Sequence, residues 1–355
     1  MDTFEAKIQF DPNAAHEILN LIAKIDESKG RWSVLENQHA SFLNELRTVA
    51  TIESVGSSTR IEGATLSDNE VKKLIAKLEI SKLETRDAQE VAGYYETLEI
   101  ILESFRDIDL TENYIKQLHG IVLKHSKKDD RQRGDYKQLT NKVVVTYPDG
   151  TQKVIFKTTE PHLVPEEMRS VIAWTNRRLE DRIIHPLIVI GLFIYEFLSI
   201  HPFHDGNGRL SRLLTTFLLL KKEYNFIKYI SFEHLIEERK KSYYAALMAG
   251  HQHRNTEVEI IDDWMLFFLK SLQTLTTKLE LKLQQTELRK ASHLNPRQKR
   301  ILTFVKANGP CKVGEIHDSF SETSIHTLKK DLKHLVQIAA LEKIGERKAT
   351  VYRVD

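Results

Sequence analysis

The sequence predicts a mainly α protein, and three observations carry that prediction. Apolar residues recur at helical spacing from Asn13 to Leu110, as in Ile18, Leu21, Ile22 and Ile25. Helical patterning resumes after residue 160 and continues to about residue 290. Strand-type patterning is confined to one stretch between Val143 and Phe156 and to the C-terminal end.

Taken in order, Asp11-Pro12 and Gly30-Arg31-Trp32 read as breaks in the first helical region. Thr65-Leu66-Ser67-Asp68, followed by Glu70, reads as a helix start with a capping residue. Residues 1–85 therefore form a helical arm. Tyr147-Pro148-Asp149-Gly150-Thr151, flanked by β-branched residues, predicts a hairpin around a glycine-containing turn. Pro161 and Pro165-Glu166-Glu167 then open a helix through Met168, Val171, Ile172 and Trp174. A core unit is expected over residues 86–285. Beyond the Gln- and Lys-rich stretch from Leu275 to Lys290, Asn295-Pro296 marks a boundary. A helix from Arg297 to Lys306, one from Val313, another over Ser324–Val336 and a hairpin over Leu341–Val354 predict a winged helix at residues 291–355.

Composition excludes several function classes. The 355 residues carry 52 Lys and Arg against 50 Asp and Glu, so no global field attracts nucleic acid or membrane. The lone Cys311 excludes an intrachain disulfide and a cysteine-rich metal site, and it fits a reducing compartment as a small apolar filler. Met1-Asp2-Thr3-Phe4-Glu5 is acidic where a signal peptide would be basic, so a cytoplasmic location is expected. The apolar run Leu187–Ile200 contains Glu196 and is shorter than the ~20 residues of a membrane span. It reads as a core helix.

The chemistry concentrates in His201-Pro202-Phe203-His204-Asp205-Gly206-Asn207-Gly208-Arg209-Leu210-Ser211-Arg212. Pro202 favours a helix end at His201, whose imidazole titrates near neutrality and can accept a proton from a hydroxyl. Asp205 offers the one hard carboxylate that Mg²⁺ needs when substrate phosphates complete its shell. Gly206, Asn207 and Gly208 let backbone N–H groups approach an anion, and a following helix N-terminus adds positive charge. Arg209 and Arg212, one turn apart, present two guanidinium forks to a polyphosphate. Phe203 is expected to anchor the loop in the core.

This stretch fits H-x-F-x-[DE]-G-N-G-R-x-x-R at every specified position, and by it the chain resembles the Fic (filamentation induced by cAMP) family. The resemblance implies a Fic-type helical core with a β-hairpin flap. It also implies a protein adenylyltransferase that moves AMP from ATP to a Ser, Thr or Tyr hydroxyl of a target protein, itself included, with release of pyrophosphate. His201 would be the general base and Asp205 the ligand of Mg²⁺, or of Mn²⁺. Gly206, Asn207 and Gly208 would cradle the α- and β-phosphates, and Arg209 and Arg212 would contact the polyphosphate. A kinase branch of the family carries Lys at the first glycine, so Gly206 resembles the AMP-transferring branch.

Family members also carry an inhibitory helix, [ST]-x-x-x-E-[GN], which Ser58, Glu62 and Gly63 fill. Ser58 and Glu62 fall on one helix face. By resemblance Glu62 forms a buried, bidentate pair with Arg212 and so holds ATP in a non-productive pose. The Val143–Phe156 hairpin corresponds to the family flap, whose edge strand can hold a target segment. Tyr243 and Tyr244 are placed to stack on adenine, with core packing as the alternative. Arg133-Gly134-Asp135-Tyr136-Lys137 resembles a core segment in which Lys137 stands where relatives have Arg. His234, His251 and His253 lack a matching carboxylate spacing and read as core or surface residues.

Residues 291–355 hold 12 Lys or Arg against 7 Asp or Glu, the direction expected of a nucleic-acid module. Lys329, Lys330 and Lys333 lie on the helix that would enter a major groove. DNA and a protein partner remain the two readings of this module, a homodimer among them, and no membrane partner is expected. A rival function is a nucleotide-sensing DNA-binding regulator. Within the enzyme class, the same site would suit transfer of another nucleotide monophosphate or removal of AMP.

Overall fold

The computed structural model describes residues 3–35, 40–78, 83–126, 128–146, 152–256, 258–292, 294–337, 340–345 and 350–354. They divide into two compact units, Met1–Thr277 and Lys278–Asp355. The protein is predominantly helical, as its periodicity predicts.

The first unit begins with α1 (Thr3–Ala6), α2 (Pro12–Leu35), α3 (Ala40–Ile61), α4 (Asp68–Ile75), α5 (Arg86–Ser104) and α6 (Glu112–Val122). Pro12 opens α2, where a missing N–H does no harm. The break expected at Gly30-Arg31-Trp32 is absent, because α2 runs through it. A glycine inside a helix costs only about 1 kcal/mol, and Trp32 packs on Tyr229, ring centroids 5.3 Å apart, which holds this turn against its neighbours. Ser67 caps α4 as expected: its hydroxyl accepts from the Glu70 N–H, and the Glu70 carboxylate accepts from the Ser67 N–H at 2.9 Å.

α5 and α6 approach closely at Gly93. A Cβ there would lie 2.1 Å from the Val122 carbonyl oxygen. Gly93→Ala is therefore expected to destabilise the protein by about 1–3 kcal/mol, the usual overpacking cost. Urea melts of the variant check this; an unchanged midpoint would disprove the tight contact.

Next come β1 (Lys142–Thr146) and β2 (Gln152–Lys157), an antiparallel hairpin with an irregularity between Val143 and Val144. Its turn, Tyr147–Thr151, lies outside the described residues. α7 (Val164–Asp181) leads to α8 (Pro186–Ile200) and α9 (Asn207–Lys221). Every residue of α8 from Val189 onward is buried, and α9 is buried from Arg209 to Leu220. These two helices are the centre of the unit, and the motif loop joins them. The only ionised residue of α8, Glu196, meets Lys7 at 2.7 Å and Arg254 at 3.1 Å, and both cations also meet buried Glu259. Two cations facing two carboxylates leave no uncompensated charge in this part of the core.

A 3₁₀ turn (Asn225–Lys228) precedes α10 (Phe232–Glu238), α11 (Lys240–His251) and α12 (Asp262–Ser292). α3 packs on α10 and α5, which brings the N-terminal region against the motif helix. No helix among the described residues is long and apolar enough to cross a membrane.

The second unit contains α13 (Pro296–Asn308), β3 (Cys311–Lys312), α14 (Val313–Ser319), α15 (Ile325–Gln337), β4 (Glu342–Ile344) and β5 (Val351–Arg353), with sheet order β3-β5-β4. Asn295 and Gln298 form a capping box at the start of α13. The two-residue β3 is too short to show a periodicity. Cys311 lies in it, buried among Ile301, Leu328, Leu332 and Tyr352 as an apolar filler.

Candidate active site

α8 ends at His201, which adopts a left-handed conformation, φ 52° and ψ 61°, while its N–H still donates to the Phe197 carbonyl. A non-glycine residue held there is strained by about 1–3 kcal/mol, and the following Pro202 stops any continuation of the helix. The turn presents the imidazole at the end of the core. Its Nδ1–H donates to the Leu198 carbonyl at 3.2 Å, which leaves the Nε2 lone pair available. Burial lowers its pKa to about 4, helped by the Lys137 cation and only partly opposed by the Leu198 bond. His201 is thus neutral at physiological pH.

Phe203 is fully buried and stacks on His119, ring centroids 3.7 Å apart and planes 8° from parallel. His119 was not singled out by the sequence. Its Nδ1 accepts from the Gly134 N–H at 3.0 Å and its Nε2–H donates to the Asp205 carbonyl at 3.0 Å, so one ring fixes both the loop and its own tautomer. Burial lowers its pKa to about 4 as well. Only its tertiary partners reveal the role, because a lone histidine on an apolar helix face has no distinguishing spacing.

Gly206 caps α9 at φ 79°, a conformation that favours glycine. Asn207 lies beside it, but its side chain is spent on the loop: Oδ1 accepts from the Phe203 N–H at 2.9 Å and Nδ2–H donates to the Phe203 carbonyl at 2.8 Å. Asp205 accepts from the Gly206 N–H and from Arg209 at 3.1 Å, and its Oδ2 stands 3.9 Å from the Lys128 ammonium. Burial would raise its pKa, yet Arg209, the Gly206 N–H, Lys128 and Arg86 together hold it below the usual carboxylate value. Arg209 is buried beneath the loop, with Glu90 at 3.7 Å, and its Nε and Nη1 make no hydrogen bond. It braces Asp205 and does not line the cavity that opens beside His201.

Arg212 does line that cavity, and the upstream segment holds it. Its Nε donates to the Ser58 hydroxyl at 2.8 Å, and one terminal nitrogen donates to the Ser58 carbonyl at 3.0 Å and to Glu62 Oε1 at 2.8 Å. The expected pair exists, but Glu62 is monodentate and about 31% accessible, because Ser58 takes the second edge of the fork. Burial would raise the Glu62 pKa, and the Arg212 and Arg209 charges more than reverse that. The Glu62 carboxylate also covers the glycine cradle: a Cβ on Gly208 would lie 2.3 Å from Oε1. Gly63, at φ 104°, lies just past the end of α3 in a conformation that favours glycine. Arg60 fixes the segment from the other side, bidentate on Glu237 at 2.7 and 3.0 Å and bonded to Asp68 at 2.9 Å, while Lys240 caps the Ile61 carbonyl at 2.7 Å.

Lys137 is buried and donates to Asn141 at 2.9 Å, Thr158 at 2.7 Å and the Ile200 carbonyl at 3.1 Å, while its own N–H bonds the Pro202 carbonyl. In place of a guanidinium fork, an ammonium with three acceptors pins the chain on both sides of His201. Burial lowers its pKa to about 8. His251 is likewise more than packing: its ring stacks on Phe156 of β2 at 3.5 Å and meets the Ser199 hydroxyl of α8 at 2.6 Å.

The cavity holds about 220 Å³ and is lined by Glu62, His201, Asp205, Gly206, Asn207, Gly208 and Arg212, with Lys142 and Phe156 from the hairpin. Tyr243 and Tyr244 both line it, and Tyr243 is also packed edge-on to Trp264 and Phe267. Among the described residues no group of three or more His, Cys, Asp or Glu side chains is placed to hold a metal.

The depressed histidine pKa values have a consequence for stability. His119 and His201 are held near 4 and His251 near 2, against about 6.5 in an unfolded chain. The unfolded state then binds more protons between pH 6.5 and 4, so stability falls as pH drops through that window. Melting temperatures measured from pH 7.5 to 4.5 should decline below 6.5, and less so in His119→Gln. A flat profile would contradict the buried, neutral state.

Comparison with known proteins agrees with this architecture. Residues 109–219 match the family model described as Fic/DOC family. Over 205 residues, 57% of this chain, the sequence is 25% identical to "Protein adenylyltransferase Fic" of Drosophila grimshawi, and the match spans only 40% of that relative's length. The fold is similar to that of a Fic family protein from Desulfovibrio desulfuricans G20, with 22% identity, 98% of each chain covered and a TM-score of 0.63. It is also similar to a Fic domain containing signaling protein from Bacteroides thetaiotaomicron, with 25% identity, 72% of this chain and 94% of the other covered, and a TM-score of 0.59. The motif loop on its helical hairpin lies within the segment that matches the family model, so residues 109–219 form a Fic/DOC family domain within a fold similar to those of the two solved Fic structures.

Proposed function

We propose that this protein transfers AMP from ATP to a Ser, Thr or Tyr hydroxyl of a protein, itself included, and that Glu62 restrains the transfer. The observation that carries the reading is the lining of one cavity by neutral His201, the glycine cradle and an Arg212 already engaged by Ser58 and Glu62. The hydroxyl oxygen attacks the α-phosphorus, its proton passes to His201 Nε2, and the bond to the bridging oxygen breaks as pyrophosphate leaves. The amide N–H groups of the α9 N-terminus stabilise the charge that develops. Tyr244 bounds the nucleoside end.

Asp205 suits Mg²⁺ or Mn²⁺: it is a single anionic carboxylate whose Oδ2, among the described residues, has only the Lys128 ammonium, 3.9 Å away, as a partner. Such a cation would supply charge neutralisation for the phosphates. At rest, the carboxylate of Glu62 places negative charge where the terminal phosphate would meet Arg212. The cavity of about 220 Å³ falls below the ~300 Å³ from which small-molecule pockets usually start, in keeping with a restrained site. The test is to supply ATP labelled at the α- or the γ-phosphate to Glu62→Gly. Label retained from the α-position alone supports AMP transfer. Retention from the γ-position would indicate a kinase, and no retention from either would refute transfer.

The second unit favours a further reading. Its order of helix, strand, two helices and two strands is compatible with a winged helix, and Lys329, Lys330 and Lys333 are exposed along α15. A nucleotide-sensing DNA-binding regulator would then show salt-dependent, sequence-selective binding that survives His201→Ala.

A further inference from the structure

A cavity of about 990 Å³, several times the volume beside His201, opens at the opposite ends of α8 and α9. Its walls come from α2, the end of α5, the α7–α8 connection and the end of α9. Five cationic residues line it, Lys29, Arg106, Arg182, Lys221 and Lys222, against the carboxylates of Asp26 and Glu223. Asp26 is spent, accepting from the Tyr224 hydroxyl at 2.8 Å and pairing with His185 at 3.0 Å. Glu223 is about 83% accessible and, among the described residues, pairs only with Lys29, at 3.7 Å. Lys221 also meets Asp109 at 3.3 Å, which still leaves Arg106, Arg182 and Lys222 without a paired carboxylate among the described residues, so the positive charge is undercompensated.

The cations are also arranged as donors. Lys29 gives one N–H to the Lys222 carbonyl at 2.7 Å and Lys222 gives one to the Leu179 carbonyl at 2.7 Å, so each anchored ammonium has further N–H groups to offer. Arg106 and Arg182 are exposed. Burial lowers the Lys222 pKa, and Arg182, Lys221 and Lys29 lower it further, the signature of crowded positive charge. A second, independent observation lies in the wall. Trp32 is 4% exposed and its indole N–H has no acceptor among the described residues, a state that costs about 1–3 kcal/mol and calls for a partner.

Ammonium, guanidinium and indole groups donate and never accept. We infer that this cleft binds a small, soluble phosphate-bearing anion at a site separate from the motif loop. The ligand is one whose charge the cations neutralise and whose oxygens supply acceptors.

The test must separate this site from the cradle at Gly206–Gly208, so the starting protein is the full chain carrying Arg212→Ala. Isothermal titration with inorganic tripolyphosphate at fixed ionic strength is expected to show one binding event. Adding Arg106→Ala and Arg182→Gly should weaken it by about tenfold or more, as loss of charge-assisted hydrogen bonds predicts. Glycine suits residue 182, whose φ is 57°, so that change favours the native backbone. Trp32 emission should shift on binding, and Trp32→Phe should lower affinity while leaving the unliganded melting temperature unchanged or raised. Equal affinity with and without the cleft substitutions would overturn the inference, as would the absence of binding. Competition by ADP against pyrophosphate then tells a nucleotide from a bare phosphate chain.

Discussion

Glu62→Gly is expected to raise AMP incorporation from α-labelled ATP by about 5- to 150-fold, the range of a 1–3 kcal/mol coupling between two sites. The reason is geometric. Glu62 Oε1 sits 2.8 Å from an Arg212 nitrogen and covers Gly208, so one carboxylate blocks both a cationic contact and the amide cradle. Removing it frees a guanidinium that Ser58 still orients through its hydroxyl and carbonyl. The same change removes the counter-charge of a buried arginine, so the variant should also melt at a lower temperature. Glu62→Gln separates the two effects, since it keeps the hydrogen bond and loses the charge; intermediate activity is expected. Equal incorporation by wild type, Glu62→Gln and Glu62→Gly would remove the case for restraint.

The second large effect is loss of transfer when His201→Ala is added to Glu62→Gly. A general base contributes about 10²- to 10⁴-fold, and the Nε2 lone pair of His201 lines the cavity while Nδ1–H is held by Leu198. ATP affinity measured by calorimetry should change little, because the cradle and Arg212 are intact. The left-handed backbone at residue 201 is a separate concern, and His201→Asn, which tolerates that conformation, controls for it. Activity surviving in both variants would assign proton removal elsewhere. With His201 held near pKa 4, the rate of Glu62→Gly should stay level down to about pH 5.

What the sequence disclosed, and what it hid, follows from the range of the interactions. The Ser67 cap, the hairpin at Val143–Phe156 and the end of α8 at His201 are set by residues a few positions apart, and all were legible. So was the meeting of Glu62 with Arg212, although its monodentate geometry was not, because Ser58 takes the other edge of the guanidinium. The continuity of α2 through Gly30 depends on Trp32 meeting Tyr229 nearly 200 residues later, which no local pattern encodes. His119 went unnoticed, and the roles of Lys137 and His251 stayed hidden, for the same reason: each acts through partners that only the fold brings together. Arg209 was read as a phosphate contact from its spacing, and the structure turns it inward, under Asp205.

The Arg60 clasp on Glu237 and Asp68 gives the restraint a further property. On the proposed reading Glu62 is a competitor on a tether, and a tethered competitor has an effective concentration set by how firmly its anchor is held, not by how much of it is present. Its potency is then tunable from a distance: each ~1.4 kcal/mol by which the α3–α10 contact is loosened changes the open fraction tenfold. On the proposed reading, the set point of transfer is written in the docking of one helix, far more adjustable than the chemistry of the loop it guards.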